Sequence, residues 1–227
     1  MSAIRHGNPG EWAKAKGTVM SLWPIFLCCV ALGACGASIV LGRHAAWFAG
    51  AFALCVAVTA FLWRKGLRRV ESYFKGARGE ERVAAVLDTL PSSWHVFHDF
   101  VAGAYHVDHV LVGPTGIYAI ETKNWRGHVA VEKGEMIVDG VLADRHPLAQ
   151  TLRQADAVKV AIKKAGLECD VIPVLCLASD TFAAQLQSVG RTTVLNASCI
   201  VDWILGGQGR CSASEIVRLA QLMETTI

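Results

Sequence analysis

No charged residue interrupts the chain from Gly17 to Gly42, and Ala45 to Trp63 is a second apolar run without charge. Each is long enough to cross the ~30 Å hydrocarbon core of a bilayer, which takes about 20 helical residues. Arg43 and His44 between them leave room for a tight turn and for nothing larger. The expectation is a transmembrane α-helical hairpin, with helices at about 18–42 and 45–63. Its outer flanks carry Arg5, Lys14 and Lys16 on one side and Arg64, Lys65, Arg68 and Arg69 on the other. The positive-inside bias then puts both termini in the cytoplasm, at the inner membrane. Small residues four apart (Gly33/Ala37, Ala46/Gly50, Ala49/Ala53) would let two such helices approach closely. Leu32-Gly33-Ala34-Cys35 has the form of a lipoprotein cleavage box, but the apolar stretch continues past Cys35 and a second span follows, which argues against cleavage there.

The basic balance of the chain is confined to this region. Residues 1–69 carry a net charge of +7 and residues 70–227 a net charge of −4, which together make the overall +3. Mean hydropathy is +0.37, and the apolar excess sits in the same N-terminal part. Bulk charge is therefore no argument for nucleic-acid binding. Eight cysteines divide evenly between the spans and the remainder, and none of the latter four forms a Cys-x-x-Cys pair, so reduced thiols are expected and zinc is not.

Residues 70–227 read as one α/β domain behind a basic connector, Arg64 to about Lys75. Gly76-Ala-Arg-Gly79 opens a predicted helix from Glu80 to Leu90, whose inward stripe is Glu80, Val83, Ala84 and Leu87. Strands are predicted at 94–100, 106–112 and 117–122. Gly113-Pro-Thr-Gly116 supplies turn chemistry between the second and third, which are then antiparallel neighbours. A polar hairpin (128–132, 136–139), a long helix (148–165), an apolar strand (171–178), a short strand (192–195) and two closing helices (199–205, 212–223) complete the order. Such an order gives a mixed-sheet α/β sandwich.

Ile117 to Ile120 is an apolar run that delivers Glu121 and Lys123. Alternate residues of a strand share a face, so the acid and the base emerge side by side. Asp108 lies within the second strand, among Val107, Val110, Leu111 and Val112, where an acid is costly unless paired or bound to a metal. The hairpin brings Asp108 towards Glu121, and Glu80 approaches from the first helix. Carboxylates so placed can share a divalent cation, which activates water and neutralises phosphate charge. Lys123 can orient that water or stabilise developing charge.

This constellation resembles the PD-(D/E)xK nuclease superfamily and, more narrowly, the NERD (nuclease-related) domain. The resemblance rests on Gly76-x-x-Gly79-Glu80, Val107-Asp108-His-Val-Leu-Val-Gly113, Gly116-Ile-Tyr-Ala-Ile-Glu-Thr-Lys-Asn-Trp-Arg-Gly127 and Pro147-Leu-Ala-Gln150. It covers about residues 75–165. It implies a restriction-endonuclease-like core and Mg²⁺-dependent (or Mn²⁺-dependent) hydrolysis of phosphodiesters, with DNA as the expected partner. By position, Asp108 and Glu121 would be metal ligands, Lys123 the catalytic lysine, Glu80 the helix acid, able to complete the metal shell from the side, and Gln150 the polar residue of the second helix. The superfamily's Pro-Asp pair reads Val107-Asp108 here.

Trp125 and Arg126 follow the lysine on a loop, where one can stack on a base and the other meet a phosphate, although Trp125 equally suits packing against the sheet edge. His106 and His109 flank Asp108 and are expected to be hydrogen-bonded structural histidines. Gly206-Gly-Gln-Gly209 lacks a following Lys-Ser/Thr and is a turn. Two further expectations stand beside the nuclease: an idle binding or sensing module that uses the same cleft, and a membrane scaffold that recruits a partner.

Overall fold

The computed structural model describes residues 2–42 and 45–225, so the turn expected at Arg43-His44 lies outside the described residues. In chain order the elements are β1 (Ile4–His6), α1 (Glu11–Val40), α2 (Ala45–Leu87), β2 (His95–Ala102), β3 (Tyr105–Gly113), β4 (Gly116–Lys123), β5 (Val129–Glu132), β6 (Glu135–Val138), β7 (Val141–Leu142), α3 (Pro147–Lys164), β8 (Val171–Leu177), β9 (Leu186–Val189), β10 (Thr192–Asn196), α4 (Ala197–Leu205) and α5 (Ala213–Glu224). The chain divides into two compact units. One spans Trp12–Lys75; the other joins the segment through Glu11 to the residues from Gly76 onward.

In the helical unit, α1 and α2 are each long and apolar enough to cross a membrane. Their large apolar side chains, Trp23, Phe26, Trp47, Leu54 and Phe61 among them, are exposed, as a lipid-facing surface requires. Close approach occurs at one end of the pair. A Cβ on Gly17 would lie 2.6 Å from the Cβ of Tyr73, and one on Gly66 would lie 3.2 Å from the Ser21 carbonyl oxygen. Gly33 and Gly50, by contrast, face open space. The four-residue spacing of small residues therefore does not mark the seam; Gly17 and Gly66 do.

The second unit is built on a seven-stranded mixed sheet in the order β1-β2-β3-β4-β8-β10-β9, with a small antiparallel sheet β5-β6-β7 beside it. The β3–β4 pairing is antiparallel, closed by the turn at Gly113–Gly116, whereas β4–β8 and β8–β10 are parallel. Alternation along β4 decides its packing. Ile117 and Ala119 join a core with Val158 and Ile162 of α3 and Leu219 of α5. Tyr118 and Ile120 face Val83 and Leu87 of α2 and Ile200 of α4. The result is the mixed α/β sandwich expected from the order of elements. A third cluster seats the small sheet, through Val129 and Met136, on Leu175, Leu177 and Val194.

Four local expectations differ from what forms. The segment Arg64–Lys75 is part of α2, and the helix passes through Gly76 and Gly79 before ending at Leu87. Glycine costs a helix about 1 kcal/mol, which tertiary contacts override. At Gly79 the small residue is required, because a Cβ would sit 2.6 Å from the Cβ of Asn124, just beyond β4. Residues 4–6, in the basic flank ahead of the first apolar helix, form β1 parallel to β2, with Ile4 opposite His95 and His6 opposite Phe97. The ring of His6 stacks on Phe97 at 4.3 Å between centroids. Lastly, β7 and β9 are strands that sequence pattern did not signal.

Candidate functional site

The site lies where β3 and β4 run out beneath α3. Paired positions end at His109 opposite Ile120, so Asp108 and Glu121 are the next residues of the two strands. Asp108 Oδ2 accepts a 2.7 Å hydrogen bond from the Thr122 backbone amide, which locks this acid to the neighbouring strand. Two residues on, Lys123 Nζ donates to Glu121 Oε1 at 2.5 Å. The pair therefore emerges on one face, as strand alternation requires.

The helix α3 closes the site from that face. It starts sharply: Arg145 and His146 both take left-handed backbone, at φ 65° and 44°, before Pro147 opens the first turn. Gln150 then donates through Nε2 to Glu121 Oε1 at 2.7 Å and accepts from Lys123 Nζ at 3.2 Å. One turn later Gln154 donates through Nε2 to Glu121 Oε2 at 2.5 Å and to the His106 carbonyl at 2.8 Å. Both oxygens of Glu121 are thus held, and the two glutamines bridge α3 to the strands.

Glu80, Asp108 and Glu121 are all buried, at 8%, 8% and 4% exposure. Burial, then Asp99, raises the Glu80 carboxyl to about 7; Glu121 pushes the same way, while His106 and Lys123 oppose it. Asp108 is raised well above the usual carboxylate range by burial first and by Glu121 and Glu80 next, against the pull of Lys123 and the Thr122 amide. Burial and the neighbouring carboxylates both disfavour the charged forms of these acids. Glu80 Oε2 is buried without a hydrogen-bond partner among the described residues.

Among the described residues, no group of three or more His, Cys, Asp and Glu side chains is placed to hold a metal ion. Magnesium keeps several waters and takes one or two carboxylates together with substrate phosphate oxygens. Asp108 and Glu121 are adjacent strand carboxylates, and the buried Glu80 carboxyl is a third acid that acts on Asp108 electrostatically.

Of the residues anticipated from sequence, Asp108, Glu121, Lys123 and Gln150 come together through direct bonds or strand neighbours, and Glu80 joins them electrostatically. Trp125 is half-buried and packs against the Val129–Met136 cluster, while Arg126 is exposed on the loop beyond. His109 is fully buried with Nδ1 2.8 Å from Nδ1 of His98, a structural pairing. His106 Nε2 lies 3.1 Å from Asp99 Oδ1 and its Nδ1 3.9 Å from Asp108 Oδ1, which places it at the border of the site. Two contributors were not anticipated. Gln154 was visible only as a residue one turn after Gln150. Asp99 adopts left-handed backbone at φ 52° within β2, with no glycine to announce it.

A mixed sheet flanked by helices, with an acid-x-Lys strand end beside a second strand acid, defines a nuclease-like α/β domain. The family model of the nuclease-related domain (NERD) matches residues 75–178. An uncharacterized protein of Bacillus anthracis is 26% identical over 102 residues, covering 40% of this chain and 48% of the relative. The chain thus spans about half the length of the curated relative it matches. No solved structure matches.

Proposed function

We propose that this is a membrane-anchored nuclease that hydrolyses phosphodiester bonds of DNA with the help of Mg²⁺, Mn²⁺ being able to substitute. The observation that carries the reading is the Glu121–Lys123 pair, held beside Asp108 and braced by Gln150. Asp108 and Glu121, with Glu80, would hold the cation, which would supply Lewis acidity towards the phosphate and a more acidic water. Lys123, the only cation bonded to this cluster among the described residues, orients the attacking water and offsets charge on the phosphorane oxygens. Gln150 keeps Lys123 and Glu121 in register. Arg126, exposed beyond the lysine, meets backbone phosphate, while Trp125 flanks it as a packed support with an edge available for stacking.

The anchor is α1 and α2, through residues 18–63, with the nuclease-like unit and both termini in the cytoplasm at the inner membrane. Support comes from the sheet itself. β1 precedes α1 and β2 follows α2, yet the two pair in one compact unit, so both flanks of the helical pair belong on one side of a bilayer.

The full chain in detergent, incubated with linear DNA and Mg²⁺, tests the activity: cleavage by the wild type and none by Glu121→Ala or Lys123→Ala is the expected result. One observation favours a second reading, an idle nucleic-acid-binding module. Both Glu121 oxygens are already engaged by Lys123, Gln150 and Gln154. DNA binding without cleavage by any metal would decide for that reading.

A further inference from the structure

A groove of about 710 Å³ runs between the β2–β3 turn, the outer face of α3 and the end of α5. Its lining includes Tyr105, Arg153, Ala157, Val160, Ala161 and Lys164. On α3 the groove-lining positions 153, 157, 161 and 164 fall on one stripe by helical spacing, and Gln150 of the candidate site lies on the same stripe, one turn before Arg153. Along the helix that stripe is about 20 Å long. At the near end, Tyr105 is the residue before His106, whose carbonyl is bonded to Gln154.

The lining combines two chemistries. Tyr105 is 41% exposed and Val160 52%, an aromatic and an aliphatic surface presented to solvent. Arg153 and Lys164 are exposed cations at the two ends of the stripe. The carboxylate of Asp156, which also lines the groove, is paired at 3.0 Å with the guanidinium of Arg191 and so adds little negative field. Aromatic and apolar surface alternating with cations is the pattern that receives an unpaired strand, its bases stacked and its phosphates neutralised. A duplex presents only phosphate and sugar to such a surface, and residues 70–227 are net negative, which disfavours binding through phosphate alone.

We propose that this groove is the substrate track of the nuclease-like site and that its occupant is single-stranded nucleic acid, with one base stacked on Tyr105 and backbone phosphates on Arg153 and Lys164. The proposal rests on the nuclease reading for the direction of the strand, not for its binding. Selectivity for an unpaired strand follows from the stacking contact.

The experiment uses the full chain in detergent, carrying Glu121→Ala so that no cleavage intervenes, and a fluorescein-labelled oligothymidylate read by anisotropy without metal. A duplex of matched length is the second probe. Tyr105→Ala is expected to weaken single-strand binding roughly tenfold, and Tyr105→Phe to retain it. Arg153→Ala and Lys164→Ala are each expected to reduce the salt slope by about 0.7. All three side chains are exposed, so an unchanged thermal midpoint certifies each fold. Single-strand affinity unaffected by Tyr105→Ala, or duplex binding as tight as single-strand binding, overturns the proposal. Wild-type cleavage measured in parallel separates the two readings: cleavage with no effect of Tyr105→Ala on binding removes only the groove, whereas groove-dependent binding without cleavage removes only the nuclease.

Discussion

Gln154 reaches Glu121 Oε2 at 2.5 Å with the same Nε2 that donates to the His106 carbonyl. The side chain therefore ties the acid of β4 to the start of β3 through a helix that belongs to neither strand. Gln154 is 97% enclosed, and its bond to Glu121 Oε2 gives it the role of holding that carboxylate. Gln154→Ala is expected to reduce cleavage roughly 10–100-fold, the usual effect of removing a group that orients a ligand. Steady-state kinetics check it: the loss falls in kcat and in the Mg²⁺ concentration needed for half-activity, with KM for DNA little changed.

The central pair behaves differently. If the proposed nuclease activity holds, Glu121→Ala and Lys123→Ala are expected to abolish Mg²⁺-dependent cleavage and Lys123→Arg to leave it lost, because a planar guanidinium cannot reproduce the short contact that Nζ makes with Glu121. Circular dichroism of both variants is expected to match the wild type, since the β4 core residues Ile117 to Ile120 are untouched.

Repulsion among the acids gives a metal-free signature. With Glu80 raised to about 7 and Asp108 raised by burial, Glu121 and Glu80, the folded state at pH 8 carries unfavourable charge. Glu80→Gln is expected to raise metal-free stability by on the order of 1–2 kcal/mol, and Asp108→Asn to raise it as well. Under the proposed function, Mg²⁺ is expected to stabilise the wild type and to lose that effect in Asp108→Asn. Thermal melts with and without Mg²⁺ read both outcomes.

A buried histidine pair sets the acid limit. Burial, helped by Arg5 and His6 and opposed by Asp99, lowers His98 to about 4. His109 is lowered too, by burial first and then by His98, His106 and Arg5. In the unfolded chain both protonate near ~6.5. The unfolded state then binds more protons between those values, so this stability is complete above ~6.5 and is lost as pH falls through the window. The slope is about 1.4 kcal/mol per unit from His98 alone. Urea melts at pH 7, 6 and 5 are expected to show it, with a shallower slope in His98→Gln.

Glycine at 79 is needed for space. Gly79→Val is expected to destabilise the fold by about 2–4 kcal/mol, because its Cβ would collide with Asn124 and carry two methyls besides. Gly33→Val, whose Cβ position is open, leaves the midpoint unchanged within error. Differential scanning calorimetry of the two variants provides the comparison.

Much of this architecture is written locally. The apolar run into Glu121 and Lys123, the turn at Gly113–Gly116 and the acid inside β3 identify the hairpin and its charges, because strand alternation and turn chemistry act over a few residues. Features that depend on distant partners are not so written. β1 is a three-residue strand whose partner is β2, so its sequence Ile-Arg-His carries no period to recognise. The passage of α2 through Gly76 and Gly79 contradicts the local breaker signal because the contact with Asn124 is tertiary. Gln154 gains its role from the angle at which α3 meets β4, and Asp99 takes positive φ without a glycine.

The pairing of Ile4 with His95 also fixes an order of events. β1 leaves the ribosome before both apolar helices, and its partner β2 follows them. Closing so long a loop is slow relative to local structure, so β1 is made early and paired late. Until then the exposed edge of β2 is open to other chains. An N-terminal fusion or truncation would thus act on assembly as well as on stability, and a recombinant fragment beginning at residue 70 would carry an unprotected sheet edge from the start.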